Sequence, residues 1–137
     1  MSTEEYIQSY YSVYKSLRPA FSPALMEEVH FTSEGFNHLV YKKGHRRDLR
    51  EIHYRLPLVK LIARTITCCV KVFKTTVQQE IYKGKQITAT YYELQWNPAK
   101  SNNVRLIVIV KRRGKLGKLV FQSVMKQKAP RKGRRLA

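Results

Sequence analysis

Near residue 70 the apolar pattern changes period, and this constrains the architecture more than any other feature of the chain. Before it, apolar residues recur at three- and four-residue spacing, as helices require; after it they alternate, as strands require. Ile7, Tyr10, Tyr11, Tyr14 and Leu17 mark one face of a helix over residues 4–17, with Ser2 or Thr3 as its cap and Pro19 as its stop. That tyrosine-rich face is either core with its hydroxyls at the rim or a base-stacking platform. Ser22-Pro23 has the form of a cap with proline in the first turn, opening a turn or short helix through residue 28.

An extended segment over residues 29–32 leads to Ser33, the expected cap of a helix over residues 34–42 with Phe36, Leu39 and Val40 turned inward. Gly44 is its expected C-terminal stop. Asp48 caps the next helix, whose buried stripe is Leu49, Ile52, Leu56 and Val59; Pro57 kinks it or begins another. On its outer side Glu51 braces Arg47 and Arg55, each four residues away. From residue 70 onward VKVFKTTV, EIYKG, KQITATYYELQW, VRLIVIVKR and KLVFQSVMK are the strand segments. Gly84 marks a hairpin turn, residues 97–103 a longer loop and residues 114–117 another turn. Helices followed by an antiparallel meander make an α+β arrangement. Residues 1–128 are expected to form a single domain, and residues 129–137, APRKGRRLA, a flexible basic tail that adds phosphate affinity.

The formal charge of +18 on 137 residues opposes folding by self-repulsion, so it implies a polyanionic partner. The charge is segregated. Five of the nine carboxylates precede residue 38, where only Lys15 and Arg18 are cationic, and none follows Glu93. RNA is the expected partner. No long apolar run or basic amphipathic helix supports a membrane. The acidic, polar start lacks the form of a signal peptide, and the adjacent Cys68 and Cys69 suit two buried thiols in a reducing cytoplasm.

Residues 28–55 concentrate the chemistry. They hold all four histidines (His30, His38, His45, His53), the cations Lys42, Lys43, Arg46, Arg47, Arg50 and Arg55, and Tyr41 and Tyr54. Imidazoles exchange protons near neutrality, and guanidinium groups bind phosphate in bidentate fashion. Such a segment suits phosphodiester chemistry, and equally a plain RNA-binding surface. The sequence lacks an HExxH pair, a CxxC pair, a Walker loop and a GxSxG elbow, so acid–base chemistry without a metal or cofactor is what its motifs leave.

The segments VHFTSEGFNHL and RLIVIVKRRGKLGKLVFQSVMK, with the order of elements over residues 29–126, resemble phage and mobile-element nucleases of the barnase–EndoU–colicin–RelE superfamily. The resemblance implies N-terminal helices packed on an antiparallel sheet of about four strands. It implies metal-independent cleavage of RNA through the ribose 2′-hydroxyl, leaving a cyclic phosphate, and a toxin-like role. An acidic antitoxin or immunity protein would be the partner. Carried onto this chain, the catalytic set is His38, Arg47, Arg105 and Ser123, with Arg105 and Ser123 paired across neighbouring strands. Lys42, Lys43, His45, Arg46, Arg50, Arg55, Lys111, Arg112 and Arg113 would bind RNA. Lys111, Arg112, Arg113 and Lys115 crowd a hairpin end, which is expected to stay wet or meet an anion.

Each residue also has a plain structural role to set beside this. His38 can be a hydrogen-bonded, partly buried histidine, His30 and His53 structural, and Arg105 an ordinary charge on a sheet. Trp96 can be a lid over the core or a stacking face. A non-catalytic RNA- or ribosome-binding module is the chief alternative, and a DNA-binding accessory protein the third, though no groove-reading helix is evident.

Overall fold

The computed structural model describes residues 1–99 and 104–128. Helix α1 (Thr3–Lys15) begins in a capping box: Ser2 Oγ accepts from the Glu5 N–H, and the Glu5 carboxylate accepts from the Ser2 N–H. Such a cap stabilises a helix start by about 1 kcal/mol. Tyr14 is buried, and its hydroxyl donates to the Thr32 carbonyl at 2.6 Å, while Tyr6, Tyr10 and Tyr11 pack half-buried against the core. The tyrosine stripe is therefore mainly core.

Residues 22–28 form no helix. Ser22 ends strand β1 (Ala20–Ser22), its hydroxyl accepts from the Leu25 N–H, and the turn leads into the antiparallel strand β2 (Glu27–His30). Helix α2 (Ser33–Val40) starts one residue earlier than expected, after Thr32, and ends two residues earlier. Gly44 does not cap it. Lys43 and Gly44, with φ of 53° and 80°, make the tight turn between β3 (Tyr41–Lys42) and β4 (His45–Arg46), the geometry a two-residue hairpin needs. Asp48 does cap α3 (Leu49–Arg55), accepting from the Glu51 N–H at 2.8 Å. Pro57 sits in a 3-10 turn (Leu56–Leu58) that joins α3 to α4 (Val59–Cys68).

The remaining strands are β5 (Lys74–Tyr82), β6 (Lys85–Ala99), β7 (Val104–Arg113) and β8 (Leu119–Lys128). They form the expected antiparallel meander, with VKVFKTTV and EIYKG contributing to one strand rather than two. The sheet is larger than four strands. Its order is β1-β2-β8-β7-β6-β5, because β2 adds parallel to β8 through Val29↔Leu119 and His30↔Val120. The fold is α+β with a six-stranded mixed sheet and a small two-stranded one. Strand β6 runs on to Ala99, past the expected loop start; the rest of that loop, and the tail at 129–137, lie outside the described residues.

One face of the sheet carries Leu94, Leu106, Val108, Val110, Phe121 and Val124 against Tyr14, Phe36, Leu39, Ile52, Leu56, Val59, Ile62 and Ile66. Large apolar side chains buried in this way contribute about 1.5–3 kcal/mol each. Cys69 belongs to this core, whereas Cys68 is exposed, so only one thiol is buried. No helix among the described residues is long and apolar enough to cross a membrane.

Gly35 fixes how α2 meets the sheet. A Cβ there would lie 2.5 Å from the Phe121 carbonyl oxygen and 2.7 Å from the Tyr14 hydroxyl. Only glycine allows this approach of helix to strand. It brings Glu34 and His38, one helical turn apart, to β7 and β8.

Candidate functional site

His38 is half-buried on α2, and its Nε2 lies 3.0 Å from Nε2 of Gln122 on β8. Gln122 owes its position to a bulge. Ile109 pairs with Ser123 and Val110 with Phe121, leaving Gln122 as the extra residue. Its Oε1 is buried without a hydrogen-bond partner. Burial holds His38 below the usual imidazole range. Glu34 opposes that shift, and the charges of Lys111, Arg47 and Arg113 reinforce it. The neutral form of His38 is therefore favoured beyond that of an ordinary imidazole. A cleft of about 190 Å³ opens beside it, lined by Glu34, Asn37, His38, Tyr41, Lys43 and Gly44.

Behind His38 lies a row of paired charges. Arg113 donates to Glu34 at 2.5 Å, approaches Glu80 at 3.5 Å and stacks on Tyr82 with its guanidinium carbon 3.9 Å from the ring centroid. Lys111 is only 4% exposed and meets Glu80 at 2.7 Å, and Tyr91 donates its hydroxyl to the same carboxylate. The Arg113 hydrogen bond depresses the Glu34 carboxyl pKa. Burial raises that of Glu80, but hydrogen bonds from Lys111 and Tyr91 and the nearby Arg113 outweigh it and leave the carboxyl lowered. The expected wet, self-repelling hairpin end is thus absent for Lys111, Arg112 and Arg113. Strand alternation sends Arg112 to the opposite face from its neighbours, where it forms a two-pronged pair with Glu27. Lys115 alone of the four is exposed.

The four expected catalytic residues do not gather in one place. Arg47 stays close to His38, but its Nε donates to the His38 carbonyl at 3.0 Å and its side chain is 11% exposed, so it braces α2. Arg105 is not paired with Ser123. It stands opposite Gln127 and donates to that side chain, six residues along β7 from Lys111. Six strand residues span about 20 Å, which places Arg105 away from His38. Ser123 pairs with Ile109, and the side chain that meets His38 is its neighbour Gln122.

The expected RNA-binding residues divide likewise. Lys42, Lys43, His45 and Arg50 are exposed. Arg46 is partly exposed and bonded to Glu4. Arg55 is drawn inward by Glu51 and the Val124 carbonyl. His53 stacks on Tyr6, with centroids 4.2 Å apart.

Glu80, Tyr91 and Gln122 had no distinguishing mark in the sequence. Glu34 stands four residues before His38, a spacing that puts both on one helix face, and this was the one available signal. Among the described residues no three His, Cys, Asp or Glu side chains gather into a metal-binding group. The chain matches no protein-family model, no curated protein and no solved structure.

Proposed function

We propose that the protein is a toxin-like, metal-independent endoribonuclease of the barnase–EndoU–colicin–RelE type, acting on RNA in the cytoplasm. The observation that carries this reading is the neutral His38 in an open cleft with Tyr41 and Lys43, backed by Lys111 and Arg113. A ribose 2′-hydroxyl takes the place of Gln122 on His38 Nε2 and gives up its proton there. The alkoxide attacks the adjacent phosphorus, the bond to the 5′-oxygen breaks, and that oxygen collects a proton from solvent. Lys43, Arg113 and the released Gln122 amide meet the charge developing on the phosphoryl oxygens, the kind of stabilisation that dominates such sites. The product is a 2′,3′-cyclic phosphate. An acidic antitoxin or immunity protein would meet the exposed Lys42, Lys43 and Lys115.

A non-catalytic RNA-binding module is the second reading. It is favoured by the exposed Lys42, Lys43, Arg50 and Lys115, which can contact phosphates without any proton transfer. Single-turnover incubation of a short RNA with excess protein and a chelator separates the two. Cyclic-phosphate ends, lost in His38→Ala, are expected for the nuclease. Tight binding with the RNA left whole supports the module instead.

A further inference from the structure

Much of the charge that implies a polyanion is already paired within the fold. Arg46, Arg47, Arg55, Lys111, Arg112 and Arg113 all face carboxylates. The outer face of α4 differs. Residues 52–79 contain no Asp or Glu. Lys60 and Arg64, four apart on the helix, and Lys71 just beyond it are exposed and form no salt bridge among the described residues. Each instead lies over an aromatic ring. Lys60 stands 5.9 Å from the Tyr10 centroid, Arg64 5.8 Å from Trp96 and Lys71 4.8 Å from Phe73. An aromatic ring steadies a cation without neutralising it. Phe73 is 45% exposed, and its N–H is bonded to the Glu93 carbonyl, which holds it beside β6.

We propose that this face, formed by Lys60, Arg64, Lys71, Trp96 and Phe73, is a binding surface for single-stranded RNA. It rests on the reading of the protein as one that acts on RNA, and it is separate from the His38 cleft. Lys60 and Arg64 follow one another along α4, with Lys71 in the segment that leads from it to β5, and such a row suits successive phosphates. Phe73, 45% exposed beside Lys71, offers a stacking plane, which a single strand can use because its base faces are free; a duplex hides them. The surface would hold the flanking strand while the scissile bond lies at His38.

Trp96 is the only tryptophan of the chain and stands in this surface, so its emission reports occupancy directly. The full chain is titrated with a mixed-sequence, 20-nucleotide single-stranded RNA, with retention on a filter as the independent measure of binding. Saturable quenching of Trp96 that weakens with salt is expected. The variant Lys60→Ala/Arg64→Ala/Lys71→Ala, all exposed positions, should bind about a hundredfold more weakly at 0.1 M salt, with a log–log salt slope shallower by about 2. Its cleavage of a dinucleotide, which has one phosphodiester bond for the His38 cleft, should match wild type. Unchanged Trp96 emission at saturating RNA, or unchanged affinity and slope in the triple variant, overturns the proposal. A response to phosphatidylglycerol vesicles but not to RNA does the same and marks a membrane surface. Quenching by RNA with no cleavage of either substrate leaves this surface standing and removes the nuclease.

Discussion

The Nε2 atoms of His38 and Gln122 face each other at 3.0 Å, one on a helix and the other on a strand bulge. Both cannot donate. The Gln122 amide N–H₂ donates, and the imidazole accepts at Nε2 with its own proton on Nδ1. A protonated imidazole would need an acceptor there. The buried, unpartnered Oε1 of Gln122 can supply it only by rotation of the amide. The protonation of His38 and the orientation of Gln122 are therefore linked, and both act at the mouth of the cleft.

The first prediction concerns pH. Burial and neighbouring cations lower the His38 pKa, so its base form is retained to a pH below the usual imidazole midpoint. Cleavage should be level near pH 7 and fall on acidification, with its midpoint below 6.5. The same shift acts on stability. As pH drops from 6.5 towards the lowered folded value, the unfolded chain takes up a proton that the folded chain does not, and stability is lost. His38→Ala should reduce cleavage by about two to four orders of magnitude and remove this share of the acid destabilisation. Rate–pH profiles and urea titrations at several pH values check both parts.

Gln122 meets His38 in the free protein and the phosphoryl charge in the proposed reaction, and a change of its own charge tests it. Gln122→Glu places a carboxylate against His38 and should raise its pKa, moving the rate–pH midpoint upward. Gln122→Leu keeps the bulk but removes the amide, and should reduce kcat more than it changes KM. A profile unmoved in Gln122→Glu would mean that the contact plays no part in catalysis.

The Lys111–Glu80 pair provides a stability test. Lys111 is almost fully buried, so Glu80→Ala strands an ammonium and should cost about 3–5 kcal/mol in urea denaturation. Replacing the pair together, as Lys111→Met with Glu80→Leu, should recover most of that loss, because two apolar groups need no partners. Equal losses in the single and double variants would show that packing around Glu80, and not charge pairing, sets the cost.

How much of this was legible follows from the range over which each signal acts. The capping of α1 by Ser2 and of α3 by Asp48, the turn at Lys83-Gly84 and the meander are local, and the sequence carries them. The parallel seam between β2 and β8 joins residues about ninety positions apart, and four residues are too few to show a period. Gly44 illustrates ambiguity rather than silence: a glycine after a helical pattern suits a helix stop and a hairpin turn alike. The site was half visible. His38 stood out by type, but the bulge that makes Gln122 its partner depends on a register set by tertiary pairing.

The geometry also separates Arg105, which the sequence grouped with His38 for catalysis, from Arg113, which it assigned to RNA binding. Arg105 is bonded to Gln127 at the far end of β7, so Arg105→Ala should leave dinucleotide cleavage within about twofold of wild type, as remote surface changes generally do. Arg113 is tied to Glu34 beside His38, and Arg113→Ala should lower kcat/KM by about 10²–10³, the usual cost of removing one group that stabilises developing charge. Equal, large losses for both would restore Arg105 to the site. Steady-state kinetics on the dinucleotide distinguish these outcomes.

The last prediction joins the fold to the site through Gly35. Its missing side chain lets α2 lie against the backbone of β8, and the atoms a Cβ would meet are a carbonyl oxygen at 2.5 Å, a Phe121 ring carbon at 2.6 Å and the Tyr14 hydroxyl at 2.7 Å. The carbonyl is held in the sheet, and Tyr14 is anchored by its bond to Thr32, so neither can yield cheaply. Gly35→Ala should therefore destabilise the protein by about 1–3 kcal/mol, although alanine favours helices, because overpacking outweighs propensity here. The relief is for α2 to move away from β8, which draws His38 from Gln122 and Glu34 from Arg113. Cleavage should then fall even under conditions where the variant is fully folded. Thermal melts give the first effect, and single-turnover rates well below the melting temperature give the second. A variant that is destabilised yet cleaves at the wild-type rate would show that the site tolerates movement of α2.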